Sequence, residues 1–89
     1  MRAIITVIGK DQVGIIATMS SELAACGANI LDISQTTLQE YFAMMMLVDL
    51  EKVTMPFVDL VSQLEQTGEK LNMQIHAQHE HVFNAMHRI

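Results

Sequence analysis

Gly9-Lys10-Asp11-Gln12-Val13-Gly14-Ile15-Ile16 stands between two apolar segments of different rhythm. Before it, Ala3-Ile4-Ile5-Thr6-Val7-Ile8 has the short, β-branched character of a strand. After it, an amphipathic run of about a dozen residues continues to Gly27 with apolar residues at helical spacing. The stretch therefore reads as a strand-to-helix turn. Asp11 is placed to accept hydrogen bonds from the first free N–H groups of the helix. Gly14 then falls in the first helical turn, where glycine costs roughly 1 kcal/mol against alanine. Propensity does not select it. A glycine there lets another backbone or a small ligand approach the helix N-terminus. A tight connection that contains two glycines is the plainer reading of the same residues.

Outward from this turn, the first strand spans about Arg2 to Ile8. It is apolar on both parities, with Ala3, Ile5 and Val7 on one face and Ile4 and Ile8 on the other, which marks a central strand. The first helix spans Gln12 to Cys26, with Ile16, Met19 and Leu23 as its stripe, Ile15 and Cys26 widening it, and Gly27 as the C′ residue. Ala28 to Leu38 is a second strand, alternating Leu31 and Ile33 against Asp32, Ser34 and Thr36, as an edge strand with one dry face does. Gln39-Glu40 is a short turn. Tyr41 to about Leu50 is a third strand, central again: Phe42, Met44, Met46, Val48 and Leu50 share one face, and Tyr41, Ala43, Met45 and Leu47 the other. Lys52-Val53-Thr54 leads to a second helix, with Thr54 as N-cap, Pro56 in the first turn, and Phe57, Leu60, Val61, Leu64 and Leu71 inward. Gly68 either ends this helix or is carried within it. Met73 to about His79 is the fourth strand, with Met73, Ile75 and Ala77 inward. The tail from Glu80 to Ile89 places Val82, Phe83, Met86 and Ile89 near helical spacing, as a short helix or an irregular arm.

The order is βαββαβ, the ferredoxin-like α+β order: a four-stranded antiparallel sheet with two helices on one face, in a single domain over residues 1–89. This leaves an excess of apolar surface. The chain has 89 residues, of which 51% are hydrophobic, and the two central strands are apolar on the face that the helices leave open. We expect that face to be covered by a second subunit, by the C-terminal tail, or by both, and the chain to be a homo-oligomer, a dimer first.

The remaining composition excludes several classes. A net charge of −5, with Arg2, Lys10, Lys52, Lys70 and Arg88 scattered, disfavours nucleic acid as a partner. The first strand also lacks the aromatics of an RNA-recognition sheet. No apolar run is long enough to cross a bilayer, and Met1 leads straight into strand-like sequence without a signal peptide. The single cysteine, Cys26, excludes an internal disulfide, fits a cytoplasmic location, and reads as a small buried hydrophobe. Catalysis has little footing. Ser20, Ser21 and Ser34 lack an evident base, and the helix C-terminus at Cys26 opposes thiolate formation. His76, His79, His81 and His87 crowd the last segment, and His79 and His81 share a strand face if the strand continues, which makes them weak metal candidates beside a plain solvated edge. Met44-Met45-Met46 alternate in direction, so they cannot meet one ion and serve packing instead. No cofactor is implied.

Ile4 to Ile16 followed by Ala28-Asn29-Ile30-Leu31-Asp32-Ile33-Ser34-Gln35 resembles an ACT domain: a first strand, an aspartate-containing turn, a glycine followed by an aliphatic residue, a helix, and Asn-Ile opening the second strand. The ending from Phe83 to Ile89 looks like that of small stand-alone ACT proteins of bacteria and archaea. The resemblance implies a non-enzymatic regulatory module that binds a small molecule, an amino acid first, at a domain interface. Carried over by position, the ligand-binding residues are Asp11, Gln12, Val13, Gly14, Asn29 and Ile30. Most ACT domains are attached to an enzyme or a DNA-binding domain. None accompanies this one, so its output is expected to pass through a partner protein. Two alternatives stand beside this reading. One is a small dimeric ferredoxin-like enzyme with a pocket between sheet faces, for which His76 and Tyr41 are the polar candidates. The other is a metal-binding protein that uses the C-terminal histidines.

Overall fold

A computed structural model describes residues 1–82. Its elements run β1 (Arg2–Lys10), α1 (Ile15–Cys26), β2 (Asn29–Leu38), β3 (Tyr41–Asp49), α2 (Phe57–Leu71) and β4 (Met73–His79). The four strands form one antiparallel sheet in the order β2-β3-β1-β4, so both doubly apolar strands are central, as their composition requires.

Alternation decides which face is dry. On β3, Phe42, Met44, Met46 and Val48 are buried while Tyr41, Ala43 and Met45 are exposed. On β1, Ala3, Ile5 and Val7 are buried and lie opposite Val48, Met46 and Met44. Met73 and Ile75 extend this layer onto β4. Ile15, Met19 and Leu23 of α1 and Leu60 and Leu64 of α2 close over it. Each fully buried side chain of this size contributes about 1.5–3 kcal/mol relative to exposure.

Several local expectations are corrected. The α1 stripe is Ile15, Met19 and Leu23, an i, i+4, i+8 row, and Ile16 turns outward at 41% exposure. The shift follows from the helix start. Asp11 does not cap α1; the N-cap is Gly14, at φ 90°, with no side-chain cap, and the helix begins at Ile15 rather than Gln12. Gly14 is therefore chosen for its left-handed backbone and does not sit inside the first turn. Thr54 likewise does not cap α2, whose N-cap is Pro56. The proline, locked at φ −59°, sets the direction of entry. Gly68 is carried within α2, where a Cβ would stand 2.8 Å from the Met73 carbonyl oxygen, so its bareness lets the helix lie close to β4. The expected dry face of β2 is absent: from Leu31 to Leu38 every residue is exposed, including Ile33 at 38%. Helix α1 touches this outer strand, but only Ile30 at its start packs against the core, and the strand is left uncovered from Leu31 onward. A bulge at Leu31 further shifts its register between Ile30 and Asp32. The tail begins as a helical turn at residues 80–82, fastened by an Arg2–Glu80 ion pair at 2.7 Å. The rest of the expected tail helix lies outside the described residues.

The helices are tied to each other by one polar cluster. The Thr67 hydroxyl donates to Glu22 Oε1 at 2.6 Å, and Gln63 Nε2 donates to Glu22 Oε2 at 3.1 Å and contacts Cys26 Sγ at 3.3 Å. Thr67 is buried, so its hydroxyl must find a partner in the protein. Thr67→Val removes the donor and leaves a part-buried carboxylate under-satisfied. We expect it to lower unfolding stability by about 1–3 kcal/mol in urea titrations. A second prediction separates strain from clash. Gly14 and Gly27 share a left-handed φ near 90°, but a Cβ on Gly14 meets nothing within 4 Å, whereas on Gly27 it would stand 2.8 Å from the Lys52 carbonyl oxygen. Gly14→Ala should cost about 1–2 kcal/mol from backbone strain alone. Gly27→Ala should cost clearly more, with the larger drop in melting temperature.

Candidate functional site

The β1–α1 turn is held from two sides. The Asp11 backbone N–H donates to the Glu40 carbonyl at 2.7 Å, which fastens the turn to the β2–β3 hairpin. Gln12 Nε2 donates to the Leu71 carbonyl at 2.6 Å, which fastens it to the end of α2. Between these ties lies a cleft of about 290 Å³ lined by Asp11, Gln12, Gly14, Ile15, Ile16, Ala17 and Phe42. The first N–H groups of α1 open into this region. The first helical hydrogen bond is donated by Thr18 to the Gly14 carbonyl, and no side chain caps the residues before it. Free amides at a helix N-terminus, with the positive end of the helix dipole behind them, suit an anionic group such as a carboxylate.

Asn29 and Ile30 lie at the other end of the sheet. Asn29 pairs with Asp49, which in turn pairs with Arg2, whereas Asp11 follows the opposite end of β1. Along β1 the two ends are about 27 Å apart at the usual strand rise. Asn29 lines a second cleft, of about 450 Å³, with Gly27, Asp49, Glu51 and Lys52. The Asp49 carboxylate accepts from the Glu51 N–H at 2.9 Å, which shapes the floor of this cleft.

Of the residues named from the sequence, Asp11, Gln12 and Gly14 come together in one cleft and Asn29 enters the other. Ile30 is half-buried beside the core, and Val13 projects into solvent at 104% exposure without lining the cleft. Within one chain the two groups do not meet. Asp49, Glu51 and Lys52, and on the first cleft Ile16, Ala17 and Phe42, were not anticipated. The charged turn after the apolar β3 was visible, but the pairing of Asn29 with Asp49 depends on a register that spacing does not reveal.

The polar candidates of the alternative readings are dispersed. His76 lies opposite Thr6 on the open face of β4, and Tyr41 lies opposite Lys10 at the far end of β3. His79 lies opposite Ala3 and is stacked on Phe57, with ring centroids 4.0 Å apart, so it faces the helix layer. The expected strand-face pair of His79 and His81 does not form. The strand ends at His79, and His81 follows in a helical turn. Among the described residues no group of three or more His, Cys, Asp or Glu side chains is arranged to hold a metal ion. No helix among them is long and apolar enough to cross a membrane.

Comparison with known proteins agrees with this architecture. A UPF0237 protein of Clostridium acetobutylicum is 54% identical over 89 residues, covering all of both chains. A UPF0237 protein of Methanocaldococcus jannaschii is 49% identical over 88 residues, covering 99% of this chain and 98% of its own. Among solved structures, an ACT domain protein from Streptococcus pneumoniae superposes with a TM-score of 0.83 at 46% identity, covering 93% of each chain. The ACT domain profile matches residues 2–78, and the chain belongs to the ACT domain family of regulatory modules.

Proposed function

We propose that the protein is a non-enzymatic amino-acid sensor whose site is completed between two copies. The observation that supports this reading is the position of the two half-sites at opposite ends of the sheet, Asn29 at the start of the exposed edge strand β2 and the Asp11–Gly14 turn tied to the hairpin at that strand's other end. β2 is an outer strand of ten residues, without lysine, arginine or proline, and its outer backbone groups have no strand partner among the described residues. An edge of this kind accepts another strand. A second copy related by a two-fold axis normal to the sheet lays its β2 antiparallel to the first. That operation carries the Asn29 end of one copy to the Asp11–Gly14 end of the other. The cleft at the start of α1 then receives the ligand carboxylate, and the side-chain oxygen of the partner's Asn29 receives the ammonium. Ligand stabilises this pair of subunits over other arrangements, and a partner protein reads the difference.

Two measurements test the reading. A thermal-shift screen against the twenty amino acids should single out one that raises the melting temperature in proportion to dose. At a hundredfold excess over Kd the expected stabilisation is about 2.7 kcal/mol. Ala17→Phe, which fills the first cleft, and Asn29→Ala should each abolish that response without loss of fold. Mixing equal amounts of the two variants should then restore about a quarter of the sites at statistical exchange, because about half of the dimers are mixed and one of the two sites in each mixed dimer has both of its halves intact. A response that no mixture restores places the site within one chain and rejects the interface.

A further inference from the structure

β4 is the second outer strand of the sheet, and β1 is its one strand partner among the described residues. Its seven residues include no lysine, arginine or proline, the residues that keep an edge from accepting another strand. A groove of about 180 Å³ runs between β4 and α2, lined by Glu65 and Glu69 of the helix and Met73, Gln74, Ile75 and His76 of the strand. The helix flank above this edge is patterned. Val58, Val61, Glu65 and Glu69 follow one another at intervals of three and four residues, so they share one side of α2. Val58 is 71% exposed, and both glutamates are exposed. The glutamates stand beside Met73 to His76, while Phe57, next to Val58 in the chain, stacks on His79. The flank is thus acidic along the first part of β4 and apolar along the last. We propose that β4 takes up an extended segment of a partner protein as a fifth strand, with basic residues beside Glu65 and Glu69 and aliphatic residues beside Val58 and Val61.

Charge selects the occupant. Among the described residues neither Glu65 nor Glu69 has an ion pair or a hydrogen bond, and no lysine or arginine lines the groove. Lys70 is turned about 140° round the helix from Glu65, at about 100° per residue. Lys10 belongs to the next strand inward and pairs with Tyr41. At the far end of β4, Arg2 is committed to Glu80. The two carboxylates are therefore left for a cation from another protein. A second copy does not supply one. A two-fold contact sets the same flank against itself, carboxylates toward carboxylates, in a chain of net charge −5. In an added strand the backbone pairs with the edge, and every second side chain faces the helix layer. Recognition accordingly requires the basic and aliphatic residues at alternate positions. This surface is separate from both clefts and from the β2 edge, and it stands whether or not the amino-acid reading holds.

The probe is the end-capped peptide Lys-Thr-Lys-Thr-Val-Thr-Val, as long as β4, with both lysines and two valines on one parity. Titrated into the full chain and followed by NMR, it should bind. Amide exchange in the complex should slow at alternate residues of β4, those whose N–H groups point away from β1. Glu65→Gln combined with Glu69→Gln should weaken binding about tenfold, with circular dichroism unchanged. A peptide with glutamate in place of each lysine should not bind. Nor should one with proline in place of each threonine, which keeps the charge but cannot pair along the edge. Failure of the probe to bind overturns the proposal, as does equal binding of the proline peptide or an affinity indifferent to the double variant. Protection that falls on β2 instead of β4 also overturns it. So do outward β4 amides that already exchange slowly in the free chain, because the edge is then occupied without a partner.

Discussion

A four-stranded sheet has two faces, and two helices cover one of them. That constraint governs this molecule because its central strands are apolar on both parities. Ile5, Val7, Met44, Met46 and Val48 are shut away under α1 and α2 at no more than 1% exposure. Their neighbours one residue along, Ile8, Met45 and Tyr41, are left 39–52% exposed on the other face. The period-two geometry of a strand allows no compromise: a side chain that avoids the helix layer must enter the other face. What the chain buries under its helices and what it leaves exposed are therefore fixed by the same alternation.

The fold was legible because its determinants are local. Period and glycine placement separate strands from helices, and parity sorted Phe42, Met44 and Met46 from Tyr41, Ala43 and Met45, while leaving open which of the two faces the helices cover. Capping was less legible. Asp11 and Thr54 have the chemistry of N-caps, but the backbone at Gly14 and Pro56 determines where each helix begins. The three residues between Asp11 and α1 then change which isoleucine faces inward. The burial of β2 was misjudged for a non-local reason. Alternation reports what a strand offers, and whether a helix reaches far enough sideways to take it depends on the packing of α1 over the sheet.

The candidate site was half legible. Family resemblance named Asp11, Gln12, Gly14 and Asn29, and each lines a cleft. What no spacing disclosed is that they line two clefts at opposite ends of the sheet, because strand order and register decide which distant residues become neighbours. Asn29 gained Asp49 as a neighbour through a ladder that runs from Leu38 and Tyr41 down to the far end of β3. The bulge at Leu31 resets the phase of the last two pairs, so Asn29 and Ile30 follow a different rhythm from the rest of their strand.

The 2.6 Å bond between Gln12 and the Leu71 carbonyl has a mechanical consequence. It joins the turn beside the β2–β3 hairpin to the last residue of α2, and the next residue but one opens β4 at the opposite margin of the sheet. Asn72, held at φ 57°, leaves little slack in that corner. A pull on the turn must therefore either break this bond or be transmitted to the root of β4. Together with the Asp11 N–H bond to the Glu40 carbonyl, this side-chain amide makes a strut from the β2–β3 hairpin to the root of β4.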